Sequence, residues 1–109
     1  MQNSWASLFE IAEDVSAAAE RDRCERAHLR FNEAWEGLVW LLARRGDRIG
    51  IVHTGAGREF RLYVQAGDEL ARTPQIAVVY SFETQTKIAI HGIRCEAETD
   101  EDEDPEDQV

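Results

Sequence analysis

Two periods of apolar residues run along this chain. Between residues 24 and 45, Ala27, Phe31, Ala34, Trp35, Leu38, Val39 and Leu42 recur at spacings of three and four. That stripe predicts an amphipathic helix. Gly46 stands just past its end, and Arg44 and Arg45 suit the negative end of its dipole. Downstream the period falls to two. Residues 58–66 (REFRLYVQA) set Phe60, Leu62 and Val64 against Arg61, Tyr63 and Gln65, which predicts a strand. Residues 76–82 (IAVVYSF) predict a buried strand rich in β-branched and aromatic residues. Glu83–Thr86 reads as a hairpin turn leading into a last strand over residues 87–95 (KIAIHGIRC).

The N-terminal part is ambiguous. Trp5, Ser7, Phe9 and Ile11 alternate with Ala6, Leu8 and Glu10, as a strand would. Leu8, Ile11, Ala12, Val15, Ala18 and Ala19 also fall at helical spacings, and residues 13–22 are strong helix formers. Glu20–Arg23 interrupts the apolar register before the long helix. Residues 46–57 (GDRIGIVHTGAG) hold four Gly and read as a loop with a short extended piece at 49–53. Residues 66–69 carry turn chemistry, and Pro74 bars a helix across that point. The expected architecture is α+β, in the order (β)ααβββ. Two helices pack on one face of a small antiparallel sheet of three to four strands.

Length and charge refine the picture. The 109 residues suffice for one domain, expected over residues 1–96. The net charge of −10 is unevenly spread. Residues 96–109 hold nine of the 22 acids and no base. The remainder is near neutral, and its cations are eleven Arg and one Lys, Lys87. Residues 97–109 are expected to form a disordered acidic tail that mimics nucleic acid, screens an Arg patch or aids solubility. No apolar run approaches the ~18 residues of a membrane span, and the N-terminus lacks the pattern of a secretory signal. Cys24 and Cys95 are therefore expected as reduced thiols in a cytoplasmic protein, filling space as small hydrophobes.

The run of elements resembles the RelE/ParE superfamily of bacterial toxins from type II toxin–antitoxin systems. AWEGLVWLLARRG resembles that family's second helix, REFRLYVQ a strand bearing basic residues, and PQIAVVYSFETQTKIAIHGIR its closing hairpin. The resemblance implies an αβ sandwich in the cytoplasm, bound by an antitoxin protein. It also implies mRNA cleavage on the ribosome or inhibition of gyrase.

RNA cleavage needs a base for the 2′-hydroxyl, a cation for the phosphorane and an acid for the leaving oxygen. The candidate catalytic residues are Arg61 and Arg94 as cations, His91 as acid or base, and Tyr80 (with Tyr63 as an alternative) for stacking or proton transfer. Regular alternation puts His91 and Arg94 on opposite faces unless a bulge at Gly92 re-aims them. Each residue also has a plain structural role open to it: core packing for Tyr80 and His91, a solvated face for Arg61, a cross-strand pair with Glu83 for Arg94. No cofactor or metal is expected: Cys24/His28 and His91/Cys95 are each four apart, which is no structural-zinc spacing, and Thr54–Gly57 lacks a phosphate loop's Lys. No contiguous Ser/His/Asp or Cys/His nucleophile motif is present, which leaves one assembled in space open. The alternative function is a non-enzymatic binding module or inhibitor on the same scaffold. A homodimer through exposed apolar residues such as Trp5 or Trp40 is a third reading.

Overall fold

The computed structural model describes residues 8–96 of the protein. Five strands and two helices follow in the order β1 (Glu10–Glu13), α1 (Val15–Ala27), α2 (Phe31–Arg45), β2 (Ile51–Gly55), β3 (Arg58–Gln65), β4 (Gln75–Thr84) and β5 (Lys87–Glu96). All five strands form one sheet, ordered β1-β5-β4-β3-β2. The α+β class agrees with the sequence reading, but the small antiparallel sheet of three to four strands in the order (β)ααβββ does not. The sheet has five strands and is mixed, because β1 pairs parallel with β5.

The extra strand is β2, read above only as a short extended piece at residues 49–53 inside a loop and not counted in the sheet. Its Gly content hid it, and all five of its residues are exposed, so no apolar alternation marks it. Pairing with β3 makes it a strand. Ala56 and Gly57 close that hairpin, both at positive φ (52° and 75°), as a two-residue type I′ turn requires.

The ambiguous N-terminal segment resolves by position. Residues 10–13 extend beside β5, and Asp14 then starts α1 by accepting a hydrogen bond from the Ala17 amide. The helix continues through the charged run 20–23 to Ala27, later than the sequence reading placed its end, and α2 begins only at Phe31. The charges have uses there. Arg21 bonds Glu13 through two nitrogens, and Glu20 Oε1 accepts from the Ile93 amide at 2.7 Å. β1 covers the edge of β5 over Lys87–Ile90. Glu20 on α1 satisfies an edge amide beyond it, where a free donor would carry a desolvation penalty.

The core lies between α2 and one sheet face. Phe31, Leu38 and Leu42 from α2 meet Ile76, Val78 and Tyr80 of β4 and Ile88, Ile90 and Ile93 of β5. Each fully buried Leu or Ile contributes about 2 kcal/mol through area removed from water. Ala27, placed in the stripe by spacing, lies outside this core and is exposed. Trp40 is 56% exposed, and the Arg44 guanidinium sits 4.0 Å from its ring centroid. Trp5 and the acidic segment 97–109 lie outside the described residues. The two cysteines are not free thiols: Cys24 on α1 and Cys95 on β5 form a disulfide.

Candidate functional site

The pleat sorts β3, β4 and β5 into two faces. Tyr63, Ile76, Val78, Tyr80, Phe82, Ile88 and Ile90 face the helices. On β3 and β4, Phe60, Leu62, Val64, Ala77, Val79 and Ser81 therefore face the other way. Among the described residues no helix covers that second face, and Val64 and Ile51 on it are exposed.

The register slips once within this region. Val79 pairs with Gly92 and Tyr80 with Ile90, so His91 is the extra residue of a β-bulge. The bulge keeps Ile90 and Ile93 both in the core and turns His91 and Arg94 to the open face. It is the irregularity that a shared face for these two residues requires.

His91 lies beside Ser81, and their side chains bond: Ser81 Oγ to His91 Nε2 is 2.7 Å. The other ring nitrogen, Nδ1, is 3.1 Å from Asp14 Oδ2. Asp14 is in turn fixed through Oδ1, which accepts from the Ala17 amide at 2.9 Å and the Ser16 hydroxyl at 3.1 Å. The Ala17 amide bond, followed by the bond from His91, holds the Asp14 carboxyl below its ordinary value against a smaller opposing effect of desolvation. An ionised Asp14 can only accept, so the Nδ1 proton belongs between them, and Nε2 is left to accept from Ser81. The Phe60 ring and the imidazole pack in a T-shaped pair, with centroids 5.8 Å apart.

This line is a hydroxyl, an imidazole and a carboxylate in the order that activates a nucleophile. Its members come from β4, β5 and the N-cap of α1. Sequence reasoning found His91 and missed the other two. Two signals were present: Ser81 is a hydroxyl inside the apolar run IAVVYSF, and Asp14 stands directly before a run of helix formers.

The remaining candidates do not join it. Tyr80 is fully buried on the helix-covered face, where its hydroxyl donates to the carbonyls of Gly46 (2.7 Å) and Ile49 (3.2 Å). Burial pushes this phenol up to about 12. Arg61 shares that face and donates to the Ile49 carbonyl at 3.0 Å. Tyr63 also faces the helices. Tyr80 and Arg61 thus fasten the loop after α2 to the sheet. Arg94 is exposed and lies opposite Ala77, while Glu83 pairs with Lys87 at 3.3 Å instead of with Arg94.

Two clefts lie on or beside these strands, and the first borders Ser81. One, of about 320 Å³, is bordered by Arg58, Glu59, Arg61, Ser81 and Phe82. The other, of about 410 Å³, runs along the open face past Leu62, Val64, Ala77, Val79 and Gly92 to Arg94. Among the described residues no group of three or more His, Cys, Asp or Glu side chains is placed to hold a metal ion. None of the helices among them is long and apolar enough to cross a membrane. No protein-family model, curated protein or solved structure matches the chain.

Proposed function

We propose that the protein is a small serine-dependent hydrolase of esters, with Ser81 as nucleophile, His91 as base and then acid, and Asp14 as the carboxylate that orients the imidazole. The observation that carries this reading is the unbroken hydrogen-bond line from Ser81 Oγ through both His91 nitrogens to Asp14. Ser81 Oγ bonds to the ester carbonyl carbon as its proton passes to Nε2. The carbon–oxygen bond to the alcohol then breaks, and the departing oxygen takes the proton from Nε2. Water attacks the acyl-serine, gives its proton to His91, and releases the acid as Ser81 regains its own. Asp14 stabilises the imidazolium in both halves.

The test is covalent labelling by a fluorophosphonate, with the adduct located by mass spectrometry. The expected result is a single adduct on Ser81, lost in Ser81→Ala and His91→Gln variants whose circular dichroism is unchanged. Hydrolysis of p-nitrophenyl acetate should fall roughly 100-fold or more without the base. A folded protein that takes no label, or takes it equally with Ser81→Ala, sinks the reading.

A second reading follows from the resemblance to RelE/ParE toxins, favoured by the bulge that sets His91 and Arg94 on one open face. In it His91 takes the 2′-hydroxyl proton of an RNA, Arg94 stabilises the phosphorane charge, and an antitoxin covers the face in the cytoplasm. Induced expression in a bacterium should then arrest growth, and His91→Gln or Arg94→Ala should relieve the arrest. Normal growth at high soluble expression removes this reading and leaves the first untouched.

A further inference from the structure

The open-face groove says which esters Ser81 would accept. We infer that the substrate is an ester of a medium-length apolar acyl chain that ends in a carboxylate, seated along β4 with its far end at Arg94. This inference rests on the hydrolase reading and adds the substrate class to it.

Three observations carry it. First, the groove and the nucleophile share a face and a strand. Ser81, Val79 and Ala77 succeed one another at alternate positions of β4, and the groove, lined by Val79 and Ala77, begins one such position along the strand from Ser81. Second, its walls suit a hydrocarbon chain. Leu62, Val64, Ala77 and Val79 contribute only carbon, and Gly92 adds no side chain to the wall; a Cβ there would touch Glu20 Oε1 at 3.8 Å and the Val79 Cβ at 4.0 Å. Third, its far end is cationic. Arg94 lies opposite Ala77, exposed, and among the described residues it has no carboxylate within 4.0 Å. Glu20, the acid at this groove, is already engaged by the Ile93 amide through Oε1.

The spacing sets the length. Ser81 to Ala77 is four residues, about 13 Å along a strand. A dicarboxylate of roughly eight to ten carbons, about 9–11 Å at ~1.2 Å per bond, covers most of it, and a hydrogen bond of about 3 Å to the guanidinium covers the rest. An acyl carbon at Ser81 then places a terminal carboxylate at the Arg94 guanidinium, where two parallel N–H···O bonds recognise it.

The experiment separates the groove from the nucleophile. Hydrolysis is measured for p-nitrophenyl acetate, octanoate and the mono-ester of octanedioic acid. The expected order of kcat/KM is octanedioate over octanoate over acetate, with at least a ten-fold step from acetate to octanedioate. Arg94→Gln should shrink the octanedioate-to-octanoate ratio toward one. Ala77→Trp should remove the preference for both long chains over acetate. In parallel, octanedioic acid is titrated into the full-length Ser81→Ala protein while methyl NMR shifts are followed. The Leu62, Val64, Ala77 and Val79 methyls should move together. If the methyls move but no ester is hydrolysed, the nucleophile assignment falls while the groove stands. If esters are hydrolysed without chain-length preference, or the acid moves no groove methyl, the substrate inference is overturned. It is also overturned if a peptide of residues 97–109 shifts these methyls and the acid does not, because the groove then takes the chain's own acidic segment.

Discussion

At the scale of single residues, one carboxylate serves two masters. Asp14 caps α1 through Oδ1 and orients His91 through Oδ2. Its carboxyl is held low because both partners favour the charged form. The sign of the resulting pH dependence follows from linkage. A carboxylate whose folded value is depressed contributes stability above its ordinary value, 3.8, and loses that contribution as pH falls through its own lower value. Thermal melts below pH 4 should therefore fall more steeply for the native protein than for Asp14→Asn; parallel pH curves would show that the carboxylate is not held this way. Tyr80 illustrates the opposite case. Its residue type suggested proton transfer, but its hydroxyl is committed to the Gly46 and Ile49 carbonyls in a buried site. Tyr80→Phe should cost about 1 kcal/mol in urea unfolding, the worth of an ordinary buried hydrogen bond, because the Gly46 carbonyl loses this donor while the Ile49 carbonyl keeps Arg61. The cap from Asp14 to Ala17 is local, but the bonds of Asp14 to His91 and of Tyr80 to Gly46 and Ile49 were not legible in the sequence, because they join residues 31 to 77 apart.

At the scale of elements, the local signals that worked were those carrying their own period. The stripe Phe31, Ala34, Leu38 and Leu42 became the buried face of α2, and Gly46 became its C-cap. Gly46 is also a close approach. A Cβ there would press on the Ile88 side chain and lie 2.7 Å from the Leu42 carbonyl oxygen. Gly46→Ala should destabilise the fold by about 1–3 kcal/mol, the usual cost of overpacking, read as a lower urea midpoint with unchanged slope. The β2–β3 turn offers the reverse test. Ala56 sits at φ 52°, which disfavours any residue with a Cβ. Ala56→Asn should raise stability by up to about 1 kcal/mol, because Asn tolerates this conformation; no gain would mean that the turn is not held there. In the sequence strand β2 reads only as a short extended piece, for a physical reason: an exposed edge strand has no buried face to impose a period of two.

At the scale of the whole molecule, the disulfide joins α1 to β5 across a sequence separation of 71 residues. Closing a loop of that size restricts the unfolded chain by about 4 kcal/mol on the chain-entropy model. Cys95→Ser, or full reduction, should lower stability by an amount of that order, and a loss near zero would show that the crosslink does not form in solution. The sequence by itself determined the α+β class, the long helix, the last three strands and the uneven charge, because each is written in near neighbours or in composition. Tertiary structure alone decided the parallel β1–β5 pair, the cysteine pairing, the bulge at His91 and the meeting of Ser81, His91 and Asp14. Those depend on which distant segments lie side by side, and a sheet's register between segments is set by how the whole core packs. The candidate catalytic set divided accordingly. Arg61 and Tyr80 were drawn to the covered face by strand alternation, while one extra residue in β5 turned His91 and Arg94 outward.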